Sequence, residues 1–170
     1  MKKMLFALAA AALAASAYAA VPKGWTDDFE AARKQAEKES KPMLVLFTGS
    51  DWCIWCKRLE EEVFSKDEFA TVIPKEMVAV FLDFPSDESL VTPERRKQNR
   101  ELGMKYGVRG FPTVFLMDAK GEPFAQTGFR PGGPAAYVDH LRELVSSKMP
   151  GAKAAAKREA PACCKKPESK

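Results

Sequence analysis

The stretch that most constrains this chain is Ser50-Asp51-Trp52-Cys53-Ile54-Trp55-Cys56-Lys57-Arg58-Leu59. An apolar run, Met43-Leu44-Val45-Leu46-Phe47, enters it through Thr48-Gly49-Ser50, and a helix-like stretch from Lys57 to Phe64 leaves it. The two cysteines therefore fall where a buried strand hands over to a helix N-terminus. Three residues along a helix give a rise of about 4.5 Å and a Cα separation of about 5 Å, inside the roughly 4.4–6.8 Å window of a disulfide. Cys53 and Cys56 are able to bond or part with little backbone motion. The first cysteine also faces free backbone N–H groups and the positive end of the helix dipole. Both favour the thiolate, the species that attacks disulfides. The spacing reads as a redox site whose first sulfur is open to solvent.

The ends of the chain read differently from its middle. Met1-Lys2-Lys3-Met4 is a positive start, Leu5 to Ala15 is apolar, and Ala17-Tyr18-Ala19 is an A-x-A signal, which together predict a signal peptide over 1–19. That apolar run is too short to span a bilayer comfortably, so no membrane span is expected after cleavage. The expected address is periplasmic or secreted, where disulfides persist. Large apolar residues stop at Met149, and 149–170 reads as a flexible basic tail carrying the adjacent pair Cys163-Cys164. The formal net charge of +4 belongs to these ends, because the tail has six Lys/Arg against two Glu and the leader has two Lys. The body is slightly acidic and offers no footprint for nucleic acid. One domain over 20–148 remains, large enough for a single core.

Within it, Trp25 to Glu39 reads as a helix with Thr26 as cap and an apolar face of Trp25, Phe29, Ala32 and Ala36. Met43–Phe47 and Met77–Leu82 lack polar alternation and read as strands covered on both faces. The cysteine helix buries Leu59, Val63 and Phe64 and leaves Glu60-Glu61-Glu62 as a solvated face. A short helical turn spans 67–72, and Pro74-Lys75-Glu76 reads as a loop. Thr92-Pro93 opens a further helix with proline at its first position. Thr113–Met117, the turn Asp118-Ala119-Lys120-Gly121, and 123–128 read as a hairpin, and Pro134–Ser147 as a closing helix. Crossovers imply parallel pairing early and antiparallel pairing late.

Three motifs in this order carry a resemblance to the thioredoxin-fold family: Trp52-Cys53-x-x-Cys56-Lys57 after a buried strand, Tyr106-Gly-Val-Arg-Gly-Phe-Pro-Thr-Val-Phe115, and Asp118-Ala-Lys-Gly-Glu122 with Gly128 beyond it. The chain is similar to exported thioredoxin-like thiol–disulfide oxidoreductases. The resemblance implies an α/β three-layer fold with a central mixed sheet, flanking helices and an extra N-terminal helix. It implies that Cys53 attacks, that Cys56 resolves, and that Pro112 is a cis-proline presenting Phe111 as a docking edge, with Trp52 and Trp55 as an aromatic wall. It also implies a buried aspartate and lysine on neighbouring strands, where this chain places Leu46 and Val80. The proton acceptor for Cys56 is then water, Glu60, Glu61 or Asp83.

Other readings stand beside this one. Cys53 and Cys56 are also half a zinc site, for which the chain offers only His140, Cys163 and Cys164 as further ligands, or a purely structural disulfide. Cys163-Cys164 reads as a second thiol relay, a grip for Cu(I) or an incidental pair. The favoured reading is an enzyme, a monomeric thiol–disulfide oxidoreductase that reduces protein disulfides and is served by an electron donor the sequence does not name. No organic cofactor and no resident metal are expected. The alternative is a thioredoxin-scaffold module for binding or copper handling with little turnover.

Overall fold

A computed structural model describes residues 21–148. The segment read as a signal peptide and the tail with Cys163 and Cys164 lie outside the described residues. The chain runs β1 (Trp25–Thr26), α1 (Phe29–Glu39), β2 (Met43–Thr48), α2 (Ile54–Leu59), a π-helical turn (Glu60–Phe64), α3 (Asp67–Glu76), β3 (Val78–Asp83), a 3-10 turn (Glu88–Leu90), α4 (Pro93–Lys105), β4 (Thr113–Met117), β5 (Pro123–Thr127) and α5 (Gly133–Lys148).

The five strands form one sheet in the order β1-β3-β2-β4-β5. β1, β3 and β2 run parallel, and β4 and β5 are antiparallel to their neighbours. β2, β3 and β4 are buried at every residue, because helices cover both sides of the sheet. Alternation along each strand sorts the side chains. Leu44, Leu46, Ala79, Phe81, Val114 and Leu116 pack with α2, α3 and α5, whereas Val45, Phe47, Val80, Leu82 and Phe115 pack with α1 and α4. Each large apolar side chain so buried contributes about 1.5–3 kcal/mol. The fold is therefore the mixed α/β sheet between helices that the sequence predicts, N-terminal helix included. Among the described residues no helix is long and apolar enough to cross a membrane.

Two local expectations are corrected. The first helix begins at Phe29, and its cap is Asp28, whose carboxylate accepts Ala31 N–H at 2.8 Å. Thr26 instead accepts Asp28 N–H at 3.2 Å, which holds Trp25–Thr26 extended as an edge strand beside Ala79–Val80. The Trp25 ring then packs on the opposite side of the sheet from α1, 5.1 Å from Phe64. The second correction is at Pro74, which lies inside α3 and not in a loop. It falls in the last turn, where a missing N–H costs one bond, and Met77 N–H still reaches Ile73 O at 2.7 Å.

Candidate active site

The site is assembled at the C-terminal ends of β2 and β3 and the N-terminal end of β4. β2 ends at Thr48, and Gly49 follows with the Trp52 indole folded over it. A Cβ at Gly49 would stand 2.6 Å from that ring, closer than atoms approach. Ser50 donates its N–H and its hydroxyl to the two oxygens of Asp83 at 2.9 and 2.5 Å. Asp51 accepts the N–H groups of Ser86 and Asp87, both at 2.9 Å, and those donors, Asp87 first, hold its carboxyl below the usual range. The loop before the cysteines is thereby tied to the loop after β3.

Cys53 is the N-cap of α2. Its carbonyl accepts from Cys56 and Lys57 at 3.1 and 3.0 Å, and its Sγ accepts Cys56 N–H at 3.2 Å. Cys53 and Cys56 form a disulfide with Cα atoms 5.2 Å apart. The expectation of an open first sulfur is corrected, because Cys53 is only 5% exposed and Cys56 4%. The cause is that capping bond, which turns the Cys53 sulfur onto the helix end and away from water.

Around the buried pair stands an apolar rim. Ile54 is 74% exposed, and Trp52 and Trp55 are 51% exposed each. The two tryptophans head separate clusters. Trp52 donates Nε1–H to Phe84 O at 2.9 Å and meets Phe111 edge-on at 5.7 Å, with Phe111 in turn 5.2 Å from Phe84. Trp55 packs 5.3 Å from Phe129, and the Arg58 guanidinium lies 5.7 and 5.2 Å from those two ring centres. The Phe111–Pro112 peptide bond is cis. Its loop is held by Thr113, whose hydroxyl donates to Gly110 O at 2.8 Å, and by a close approach of Gly128, where a Cβ would be 3.2 Å from Pro112 O. The buried Tyr137 hydroxyl donates to Gly128 O at 3.0 Å, so α5 braces the same loop.

Two acids on the elements that carry the site are withdrawn from water. Asp83 is 4% exposed, and burial pushes its carboxyl above the usual range against the pull of the Ser50 donors. Glu60, half-buried, is raised first by burial and then by the charge of Asp83 and of Glu61. The solvated face expected over 60–62 is thus corrected at Glu60. Leu46 and Val80 do not form a pair, because Leu46 is in register with Phe81 and Val80 with Val45, and the two point to opposite faces. The His140 ring is 3.1 Å from the Thr127 hydroxyl. Among the described residues no group of three or more His, Cys, Asp or Glu is arranged to hold a metal, so the zinc reading lacks its further ligands there. Sequence reasoning missed Gly49, Phe84, Phe129 and Arg58 as parts of the site. Of these only Gly49, set three residues before an indole, carried a local signal.

The thioredoxin-like domain description matches residues 29–141. The disulfide bond reductase DsbH of Chlamydia pneumoniae is 36% identical over 119 residues, which cover 70% of this chain and 71% of that protein. The thiol:disulfide interchange protein DsbD of Vibrio vulnificus is 28% identical over 112 residues, 64% of this chain but 17% of that protein. A solved DsbH oxidoreductase matches with a TM-score of 0.69 at 34% identity, covering 75% of this chain and 88% of its own.

Proposed function

Since the chain belongs to the thioredoxin-like family and is a thiol–disulfide oxidoreductase built on a Cys53-x-x-Cys56 pair, we propose that it is an exported reductase of protein disulfides. The observation that carries this reading is the redox pair capping α2 beside an exposed apolar rim and the Phe111-Pro112 loop. The direction is supported by the reductase name of the DsbH relative, and export by the leader-like residues 1–19.

The chemistry balances over two exchanges. In the dithiol form, the Cys53 thiolate attacks one sulfur of a client disulfide, a Cys53–client disulfide forms, and the other client sulfur leaves as a thiolate that takes a proton. Cys56 then loses its proton and attacks Cys53 Sγ. The intramolecular disulfide forms, the second client thiol is released, and the client has gained two electrons. A donor dithiol, whose identity the chain does not reveal, restores Cys53 and Cys56 by the reverse exchanges. Cys56 N–H, aimed at Cys53 Sγ, favours that sulfur as an anion. Trp52, Trp55, Phe111 and Pro112 form the client surface. Next to Phe111 a cleft of about 300 Å³, lined among others by Phe84, Met104, Val108 and the arginines at 100 and 109, extends it for the client chain beyond the cysteine.

A Cys53→Ala protein is expected to lose insulin-disulfide reduction entirely, and Cys56→Ala to accumulate mixed disulfides with exported proteins. Undiminished reduction by Cys53→Ala would overturn the assignment. A reduction potential well above about −180 mV, in the range of oxidants rather than reductants, would reverse the direction.

A further inference from the structure

The resolving step needs a base, and the strand positions expected to supply one hold leucine and valine. We propose that Glu60 accepts the Cys56 proton, with Asp83 as its neighbour at the end of β3.

The placement follows from the fold. Glu60 stands one helical turn after Cys56, on the same helix face, at the point where α2 gives way to the π-helical turn and Ser65 N–H bonds Glu60 O at 2.8 Å. A π turn widens the helix and re-aims side chains, and here Glu60, at its start, is half-buried while Glu61 is exposed. Asp83 ends β3 in the alternation of Ala79 and Phe81, the residues that face α2 and the π turn. The two acids thus approach from opposite sides of one interface. Their partners divide the labour. Asp83 receives two hydrogen bonds from Ser50, which favour its anion. Glu60 has no hydrogen-bond partner for its carboxylate among the described residues, and the neighbouring anion makes it the better base. The other charges nearby are accounted for. Asp51 is held by backbone donors and Glu61 is exposed. Lys57 donates to Asp51 O, and Asp27 pairs with Arg95 at 3.4 Å.

Cys56 is 4% exposed, so bulk water does not reach its proton directly. In the resolving step Glu60 takes the proton as Cys56 Sγ bonds Cys53 Sγ and the client thiolate leaves. In the reverse step protonated Glu60 returns it to the departing Cys56 sulfur. No other reactant is required.

The test is stopped-flow reaction of the reduced full chain carrying Cys163→Ser and Cys164→Ser, so that Cys53 and Cys56 are its only thiols, with 5,5′-dithiobis(2-nitrobenzoate), whose first released thiolate reports attack by Cys53 and whose second reports resolution by Cys56. With Glu60→Gln, the second phase is expected to slow about 100-fold near neutral pH and to climb with pH up to the ionisation of the Cys56 thiol. The first phase should stay within about twofold. Wild type should instead rise through the Glu60 titration and level off. Asp83→Asn is expected to move that rise to lower pH, because the neighbouring anion is gone. Gln at 60 removes a burial penalty on a charge, so the variant is expected to fold. A second phase in Glu60→Gln of wild-type rate and pH profile would overturn the proposal, as would equal slowing of both phases. The proposal rests on the resolving role of Cys56. A wild-type protein showing no second phase would refute that role, whereas an unaffected Glu60→Gln refutes only the base.

Discussion

Gly49→Ala tests how the rim is held. The added Cβ would lie 2.6 Å from the Trp52 indole, which must therefore move. In moving, it gives up the Nε1–H bond to Phe84 O and the edge-on contact with Phe111. The bond contributes about 1 kcal/mol and the aromatic pair about 0.5–1.5 kcal/mol, so the expected destabilisation is about 1.5–2.5 kcal/mol. For a domain of this size that is a fall in Tm of about 5–10 °C. If Trp52 belongs to the proposed client surface, KM for a protein disulfide is expected to rise about fivefold to tenfold, as a loss of about 1–1.4 kcal/mol of docking implies. The decisive measurement is a double-mutant cycle by thermal unfolding. In a Trp52→Ala background the obstacle is absent, and Gly49→Ala should then cost less than about 0.5 kcal/mol. An equal cost in both backgrounds would show that Gly49 is required for its backbone and not for the indole, and the reasoning would fail.

Two further perturbations follow from the same geometry. Tyr137→Phe removes the donor to Gly128 O and is expected to cost about 1–2 kcal/mol in denaturant unfolding, with loosened protection of the 110–113 amides in hydrogen exchange. The Asp28 carboxyl is held below its usual range first by Ala31 N–H and then by Arg95. Because its folded pKa is depressed, its contribution is full above the unfolded value near 3.8 and is lost as pH falls through the folded value. Asp28→Asn keeps a capping oxygen and should flatten stability against pH below about pH 4 relative to wild type, as followed by urea unfolding. An unchanged slope would remove Asp28 from the acid response.

What the sequence disclosed depended on how local each cause is. β2, β3 and β4 were legible because unbroken apolar runs require cover on both faces, and the cysteines were legible because three helical residues match a disulfide. Trp25 was not, since a side-chain bond from Thr26 and a register with Ala79 decide between helix and strand there. Glu60 sits in a run that has every appearance of a solvated face, although its place one turn after Cys56 sets it on the same side of the helix. Asp83 looked like one of several substitutes for a missing acid. Its distinction comes from Ser50, thirty-three positions away in sequence. The error in pairing Leu46 with Val80 has the same origin, because a one-residue slip along a strand exchanges its faces.

The burial of Cys53 changes what must limit turnover. Attack on a disulfide proceeds along the sulfur–sulfur axis, and a residue 5% exposed offers a narrow approach that random collision seldom satisfies. An exposed isoleucine next in sequence to one of two half-exposed tryptophans is costly in water, and large apolar side chains left exposed beside a reactive pair suit a surface meant for another protein. The two observations explain each other. On the proposed function, the same capping bond that shields the sulfur from solvent would leave a client to be aligned by Trp52, Ile54 and Trp55 before any sulfur is reached. Selectivity therefore resides in docking, and Ile54→Ser should slow reduction of insulin severalfold while leaving the reaction with a small aromatic disulfide nearly unchanged. If both substrates slow alike, the rim serves the sulfur's reactivity instead of client alignment.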